Sequence, residues 1–409
     1  MDAFSAAAAL VTLAALFSWL NHRYIRQPSS IGLLLFSLAL SAALVGAGEL
    51  GRRFQWLPRQ AIGAVSFDRA LLDGMLSFLL FAGALKVDLG ELERRKWAVG
   101  FLASAGVAVS ALLIGAAMWA ILHALSLPAS AAWTLVFGAL ISPTDPIAVL
   151  ALLKRAKAEK SLSIKMAGES LLNDGMGIVL FLLFLGVATS GEKASGWDVA
   201  LLFLREAGGG ALFGLAIGYA AYRMLAAVDS YDVEVLLTLA LVMGGYAAAQ
   251  ALQLSGPIAI VVAGVLIGNQ GRRYAMSERS RRRIDMFWEL LDEILNAALF
   301  VMIGLELLVI DFDWRYAGAA ALAIPAVLAA RFLSVGVAAL VPRLRRDFPP
   351  RVVAVLTWGG LRGGISIALA LSLPESPHRG PIITVTYLVV LFTILVQGLT
   401  FSRVLKRLG

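Results

Sequence analysis

The stretch "LVFGALISPTDPIAVLALL", residues 135–153, is typical of a membrane helix at both ends but not in its middle. Pro143 and Pro146 flank the acidic residue Asp145 there, and proline removes a backbone donor and interrupts a helix. A charged side chain at the centre of a membrane span costs about 2.5–3.5 kcal/mol on insertion scales. The stretch therefore predicts a discontinuous membrane helix with a functional polar centre.

The composition places the chain in a membrane. Of its 409 residues, 60% are hydrophobic and 15% are charged, whereas soluble domains carry about 25% charged residues. The net charge of +8 does not indicate nucleic acid as a partner, because the basic residues lie in short loops between apolar runs. The absence of cysteine excludes disulfides and thiolate metal sites. We therefore predict an all-α polytopic membrane protein that contacts the lipid bilayer and binds no nucleic acid.

Apolar runs long enough to cross a bilayer, about 17–25 residues each, predict about 13 transmembrane helices. They lie near residues 3–20, 29–48, 70–85, 97–123, 130–152, 163–187, 197–222, 235–252, 256–269, 286–310, 316–341, 352–372 and 381–402. Loops after odd-numbered spans carry 25 lysines and arginines, and the opposite side carries 7. Because positively charged loops stay in the cytoplasm, we expect the N-terminus outside and the C-terminus inside the cell.

A second interruption lies in the twelfth span, "AVLTWGGLRGGISIALALSL", residues 354–373, where four glycines surround Arg362. The fifth and twelfth spans are seven apart, so the two interrupted helices have opposite orientations. This spacing predicts two inverted-topology repeats, approximately residues 3–187 and 235–402. Paired interrupted helices in inverted halves indicate a transporter with its site near the bilayer midplane.

The sixth span contains a polar segment, "GESLLNDGMG", residues 168–177. Ser170 and Asp174 are four residues apart and share one helix face. Glu169 is rotated by about 100° from Ser170, so it faces a neighbouring helix instead. We therefore expect Ser170 and Asp174 to face the site, with Asn173 beside them.

Oxygen atoms from the fifth and sixth spans fit an alkali cation. Carboxylates, hydroxyls and the backbone carbonyls freed at a helix break are hard ligands. The charges also suit the half-helix ends, since Asp145 can balance exposed N-terminal dipoles and Arg362 exposed C-terminal ones. The Na+ ligands that we predict are Asp174, Asp145, Thr144 and Ser170.

Five segments together resemble the NhaP/NHE family of monovalent cation/proton antiporters. In chain order they are "SPTDPIAVLALL" (142–153), "GESLLNDGMG" (168–177), "FWELLDEILNAALFVMIGLEL" (287–307), "ARFLSV" (330–335) and "WGGLRGGISIALAL" (358–371). The resemblance runs from about residue 78 to the end of the chain. It implies a secondary transporter, not an enzyme, in a plasma or inner membrane, with no cofactor besides the transported Na+ and H+.

The resemblance also implies an NhaA/NhaP-like antiporter fold with crossed discontinuous helices, an elevator-like core and a homodimer. The implied core covers approximately residues 97–187 and 316–402, and the dimer or scaffold part covers 3–85 and 235–310. It further implies a role for the residues of the site and for the charged residues around it. Asp174 binds the ion and the proton, Thr144, Asp145, Ser170 and Asn173 belong to the site, Glu169 bridges to Arg331, and Arg362 stands at the helix crossing.

Two positions bear on the ion shell and the stoichiometry. Some prokaryotic members have an acid in the third span, where "FAGAL" (81–85) has Ala82 in this sequence. Relatives that move net charge carry a second acid before the key aspartate, where this chain has Asn173. The resemblance thus implies electroneutral, one-for-one exchange.

Other functions are also compatible with these residues. The exchanged cation is Na+, K+ or Li+, and a channel would use similar ligands. Asp145 and Asp174 are also compatible with an intramembrane aspartyl protease, in which paired carboxylates share a proton, although Asn173 stands where such a motif has glycine.

Near the cytoplasm, one face of the tenth span carries four acids: Asp285, Glu289, Asp292 and Glu293. They either attract cations or, as we favour, pair with the arginines at 281–283.

Overall fold

The computed structural model describes residues 3–47, 67–94, 96–145, 149–150, 153, 160–190, 201, 204–342 and 344–408. In these ranges the regular elements are all helical. The prediction of an all-α membrane protein is confirmed. Pro146 and most of the second half of the fifth span lie outside the described residues.

The longer helices are numbered here in chain order. The first eight are α1 (Ala3–Leu20), α2 (Ser29–Gly46), α3 (Leu76–Leu85), α4 (Val107–Ala124), α5 (Ala131–Ile141), α6 (Lys160–Ser190), α7 (Gly209–Leu225) and α8 (Tyr231–Ala251). The others are α9 (Gly256–Leu266), α10 (Glu278–Glu306), α11 (Ala317–Leu340), α12 (Pro350–Trp358), α13 (Gly364–Leu371), α14 (Arg379–Phe392) and α15 (Gly398–Leu408).

Short helical turns extend several of these helices. They are Asn21–Ile25, Phe67–Arg69, Ala70–Met75, Leu89–Arg94, Lys96–Phe101, Leu102–Gly106, Leu204–Gly208, Ile267–Gly271, Arg272–Tyr274, Trp314–Tyr316 and Thr393–Gln397. With these turns included, each predicted span overlaps a helical segment of the described chain. The count of 13 spans and the inverted repeats stay predictions.

Both predicted helix interruptions are present. Helix α5 ends at Ile141, and Ser142 to Asp145 follow without helical structure. Helix α12 ends at Trp358, and α13 begins only at Gly364. Proline and paired glycines at these places disfavour a continuous helix, so both chains can turn and expose polar backbone in the middle of the protein.

The helices meet the requirements of a bilayer. Seven helices in the described ranges are long and apolar enough to cross it. Large apolar residues also lie on the outer surface, for example Leu340, which is 80% exposed, and Leu212, which is 71% exposed. Such exposed apolar surface is unfavourable in water and favourable against lipid. The protein is therefore an integral membrane protein.

Small residues let some helices pack at close range. A Cβ atom added to Gly214 in α7 would lie 2.3 Å from the carbonyl oxygen of Ala259 in α9. Membrane helices use such small residues because there is no hydrophobic gain from burying larger ones away from lipid. Helices α3, α7, α8, α9 and the start of α10 share one apolar cluster around Trp288. A larger cluster joins the remaining helices, including both interrupted ones.

Candidate functional site

The two interrupted helices cross at their breaks, where they are linked by backbone and side-chain hydrogen bonds. The backbone N–H of Asp145 donates to the carbonyl of Leu361 at 2.8 Å. In return, Nη1 of Arg362 donates to the carbonyls of Ser142 at 2.6 Å and Pro143 at 2.9 Å. Polar backbone groups in a membrane must find partners inside the protein, and each break supplies partners for the other.

Charges at the crossing oppose the dipoles of the half-helices. The carbonyls that end α5 carry partial negative charge, and Arg362, which is fully buried, contacts two of them. The carboxylate of Asp145 lies beside Gly363, the residue that caps the positive N-terminal end of α13. A Cβ atom added to Gly363 would lie 2.3 Å from Oδ2 of Asp145. This placement balances the dipole without excluding contact between Asp145 and an ion.

Helix α6 braces the first break. Ser170 donates its hydroxyl to the carbonyl of Thr144. The side-chain amide of Asn173 donates to the Thr144 hydroxyl at 2.8 Å, and its oxygen accepts from the Thr144 backbone N–H at 3.4 Å. Thr144 is thus held by three hydrogen bonds to one face of α6. Ser170 and Asn173 therefore hold Thr144 in place. A direct contact between Ser170 and Na+ stays a prediction.

Glu169 and Arg331 form an ion pair close to these hydrogen bonds. Arg331 in α11 donates Nη1 to Oε1 of Glu169 in α6 at 2.5 Å, and the two side chains are 5% and 2% exposed. A Cβ atom added to Gly360 would lie 3.0 Å from Nε of Arg331 and 3.4 Å from the Thr144 methyl group. The ion pair therefore joins α6 to α11 directly behind the helix crossing.

The last helical segment caps the second break, which the sequence patterns did not predict. The Thr393 hydroxyl accepts the backbone N–H of Arg362 at 3.1 Å. Gln397, which is fully buried, donates its amide to the carbonyl of Trp358 at 2.9 Å. These residues are four apart and share one face of the helix. In the sequence, Thr393 and Gln397 are isolated polar residues in an apolar final span, and this pattern was the available signal for such a contact.

A cavity of about 540 Å³ leads to the crossing. At its buried end it is lined by Thr144, Asp145 and Asp174, of which Asp174 is 8% exposed. Towards the loops it is lined by charged side chains: Lys86, Asp88, Glu289 and Asp292. Two carboxylates and a hydroxyl meet at the end of a water-accessible path, which is the arrangement needed to receive a hard cation or a proton.

Other predicted positions do not face this cavity. Among the described residues that line it, Ser170 and Asn173 are absent, whereas Gly363 and Ser366 are present without having been predicted. Ala82 belongs to the apolar cluster around Trp288, and it is likewise absent from the described lining. An acid at position 82 would therefore need a different orientation of this helical turn to reach the cavity.

The acids near the cavity mouth differ from the favoured prediction. Asp292 pairs with Lys86 at 2.9 Å, and Asp285 pairs with Arg272. The predicted pairing of these two acids with the arginines at 281–283 is therefore wrong. Helix α10 directs their side chains towards α3 and the turn after α9, and helical periodicity alone cannot identify partners on other helices. Glu289 and Asp292 line the cavity near its mouth instead.

Comparisons with known proteins identify the family. The family description "Sodium/hydrogen exchanger, transmembrane" matches residues 10–407. The chain belongs to this sodium/hydrogen exchanger family. It is 47% identical over 406 residues to the Na+/H+ antiporter NhaP of Pseudomonas aeruginosa, covering 98% of this chain and 96% of that protein. The Na+/H+ antiporter NhaH of Halobacillus aidingensis is 34% identical, with 95% and 93% covered.

A solved structure shares the fold of this exchanger family member. The sodium proton antiporter MjNhaP1 from Methanocaldococcus jannaschii superimposes with a TM-score of 0.78 at 18% sequence identity, covering 100% of this chain and 99% of that chain. The predicted antiporter fold is thereby confirmed. The family consists of transporters, so the hypothesis of an aspartyl protease built on Asp145 and Asp174 has no support.

The contact between Gly363 and Asp145 gives a first prediction for this exchanger. Gly363→Ala places a methyl group against the Asp145 carboxylate, and overpacking of this kind costs about 1–3 kcal/mol. The Asp145 carboxylate must move to make room for this methyl group, and Asp145 lines the cavity. We therefore expect the exchange rate to fall about ten-fold or more while the protein stays folded. Ion-driven pH change in reconstituted vesicles measures the rate.

The matched control is Gly380→Ala, since a Cβ atom at position 380 meets no atom within 4 Å. Its exchange rate should equal that of the parent protein. Equal rates for both variants would show that the close approach of Gly363 to Asp145 has no part in transport.

Proposed function

We propose that the protein exchanges a monovalent cation, with Na+ preferred, for H+ across a plasma or inner membrane. The observation that carries this proposal is the buried Asp174 carboxylate at the end of the cavity, beside Asp145 and Thr144. The printed names of the similar antiporters support Na+ as the cation. Exchange of K+ or Li+ is the alternative within the same site.

One carboxylate can couple the two ions. Asp174 holds a proton or a cation but not both, because the same oxygens bind each. A loaded site is close to neutral and can cross the membrane, whereas an empty, uncompensated carboxylate is costly in a medium of low dielectric constant. The Asn173 side chain is hydrogen-bonded to Thr144. An amide does not titrate, so Asn173 adds no second exchangeable proton. The proposed stoichiometry is therefore one Na+ for one H+, without net charge movement.

Alternating access is proposed to follow from motion of the core, residues 97–187 and 316–402, against the scaffold of a homodimer, residues 3–85 and 235–310. The described conformation has its cavity open towards loops that we predict to be cytoplasmic. Towards the other side, Tyr387 donates its hydroxyl to the Ile303 carbonyl at 2.7 Å, and the Thr384 hydroxyl accepts the backbone N–H of Asp313 at 3.1 Å. Tyr387 belongs to the core and Ile303 to the scaffold, so in the proposed motion the bond between them breaks when the site opens outward.

Reconstituted vesicles that contain a pH-sensitive dye test the function. A Na+ gradient should drive proton movement, and gradients of Li+ and K+ report the preference among cations. The absence of a response to all three cations, with protein shown to be folded, would contradict the proposal. A sustained transport current that reverses with membrane potential would contradict the electroneutral stoichiometry, and would also favour a channel if it approached single-channel rates.

Competition between the two ions predicts the pH dependence. As external pH rises, fewer Asp174 carboxylates carry a proton, so the apparent KM for Na+ should fall. In the range where the site is mostly protonated, it should fall about ten-fold for each pH unit. Initial rates measured over a matrix of Na+ concentrations and pH values check this dependence. A KM independent of pH, with a changing maximal rate, would show that the ions do not share the carboxylate.

A further inference from the structure

Ser366 is a buried polar residue on the second interrupted helix that the proposed mechanism does not yet use. Its side chain is 1% exposed, and it lines the same cavity as Thr144, Asp145 and Asp174. The first interrupted helix and α6 contribute the other three residues, whereas Ser366 belongs to α13. The cavity end is thus bounded by polar side chains from both broken helices.

Helix geometry places Ser366 close to the carboxylates. Gly363, the cap of α13, is in contact with the Asp145 carboxylate. Ser366 follows three residues later, which is about 4.5 Å along a helix axis, and residues with this spacing lie on the same face. Both Gly363 and Ser366 line the cavity, so the hydroxyl lies about one helical turn from the Asp145 carboxylate.

Several other oxygens at the crossing already accept hydrogen bonds within the protein. The carbonyls of Ser142 and Pro143 accept from Arg362. The carbonyl and the hydroxyl of Thr144 accept from α6. An alkali cation at Asp174 needs several oxygens to replace its water shell, so the expected carbonyl ligands are less available than the sequence suggested.

Among the described side chains lining the cavity, the hydroxyl groups belong to Thr144, Ser163 and Ser366. Ser163 is eleven residues before Asp174 in α6, which places it about 16 Å away along the helix. Ser366 is therefore the cavity-lining hydroxyl on the second broken helix at the level of the carboxylates. It can donate to a carboxylate when no ion is present and present its oxygen to a cation.

We infer that the Ser366 hydroxyl is a cation ligand that completes the site from α13 and favours Na+ and Li+ over K+. This inference rests on the proposed function and names a specificity-determining residue for it. A neutral oxygen on a short helix capped against Asp145 narrows the space between the two broken helices. Selectivity between cations of different size depends on the size of the cavity and on the number and flexibility of its ligands, and an oxygen held at a fixed position in a narrow site favours the smaller ions.

The test compares Ser366→Ala, Ser366→Thr and the control Ser163→Ala, which removes a cavity-lining hydroxyl far from Asp174. Loss of one ligand oxygen should raise the KM for Na+ about ten-fold in Ser366→Ala, the size expected for one hydrogen bond of about 1.4 kcal/mol. The KM for K+ should change less, so the ratio of the two constants shifts. Ser366→Thr keeps a hydroxyl and should therefore keep the parent's ratio of the Na+ and K+ constants. Ser163→Ala should also leave this ratio unchanged.

A binding measurement separates this inference from the proposed function. Na+ that binds the folded protein raises its Tm, so Ser366→Ala should need about ten-fold more Na+ than the parent for the same Tm increase, and Ser366→Thr should need the parent's concentration. If the parent shows this increase but no exchange, the transport proposal fails, and a Tm increase that Ser366→Ala shows only at higher Na+ concentration still supports the ligand assignment. If Ser366→Ala keeps the parent's Na+-dependent Tm increase and its ratio of Na+ to K+ constants, the ligand assignment is overturned. An equal loss for all cations with a lower Tm in the absence of ions would also overturn it.

Discussion

Replacement of Asp174 by Asn is expected to reduce Na+-driven proton movement to the level of protein-free vesicles. The amide keeps the size of the side chain but cannot give up a proton or neutralise a cation. Asp174 is buried at the end of the cavity, and the water that reaches this position carries no charge to replace its carboxylate. Because the substitution removes a buried charge that is costly to desolvate, the Tm of Asp174→Asn should equal or exceed that of the parent.

The dye assay with matched protein amounts measures the exchange, and thermal unfolding in detergent measures the Tm. Asp88→Asn is the control, because Asp88 lines the same cavity in an exposed position near its mouth. This control should retain most of the exchange. Appreciable exchange by Asp174→Asn would show that another group carries the proton, and the competition mechanism would then be wrong.

Breaking the Glu169–Arg331 pair is expected to have the largest effect on stability. The two side chains are almost fully buried and 2.5 Å apart, so either single charge reversal places two like charges together in the membrane interior. Even removal of one partner from a buried pair costs about 3–5 kcal/mol. We therefore expect Glu169→Arg and Arg331→Glu to lower the Tm strongly and to reduce the yield of monodisperse protein.

The double reversal should recover part of this loss, because opposite charges meet again. Recovery stays incomplete, since Gly360 packs closely against the Arg331 side chain in its present place. Tm values for the parent, both single variants and the double variant form a double-mutant cycle. The exposed pair Arg282–Glu278 is the control, and its reversal should leave the Tm nearly unchanged. Additive losses at Glu169 and Arg331 would mean that the two charges do not stabilise each other.

Several features of the fold follow from short-range rules that a sequence displays directly. Apolar runs of about 20 residues predict membrane helices because backbone groups must be satisfied inside the bilayer. Proline at 143 and the glycine pairs around Arg362 disfavour a continuous helix, and both interruptions are present. The spacing within α6 separated Glu169 from the face that carries Asp174, because helical rotation is a local property.

Partners across helices were harder to predict. The bonds from Arg362 to the carbonyls of Ser142 and Pro143 join residues that are far apart in the chain. The same holds for Lys86 and Asp292, where the sequence favoured arginines close to the acid. Local spacing carries no information about which helix lies opposite, because packing is decided by the combined shape of all neighbouring side chains.

The sequence by itself determined that this is a helical membrane protein with two polar interruptions, and it predicted a cation site at the acids beside them. Composition, helical periodicity and the conformational limits of proline act over a few residues, so they can be recognised without coordinates. Only the tertiary structure decided how these residues are used. It turned Ser170 and Asn173 towards Thr144, and it brought Ser366 and Gly363 to the cavity wall beside Asp145. The physical reason is that a buried polar group takes its partner from whichever helix packs against it.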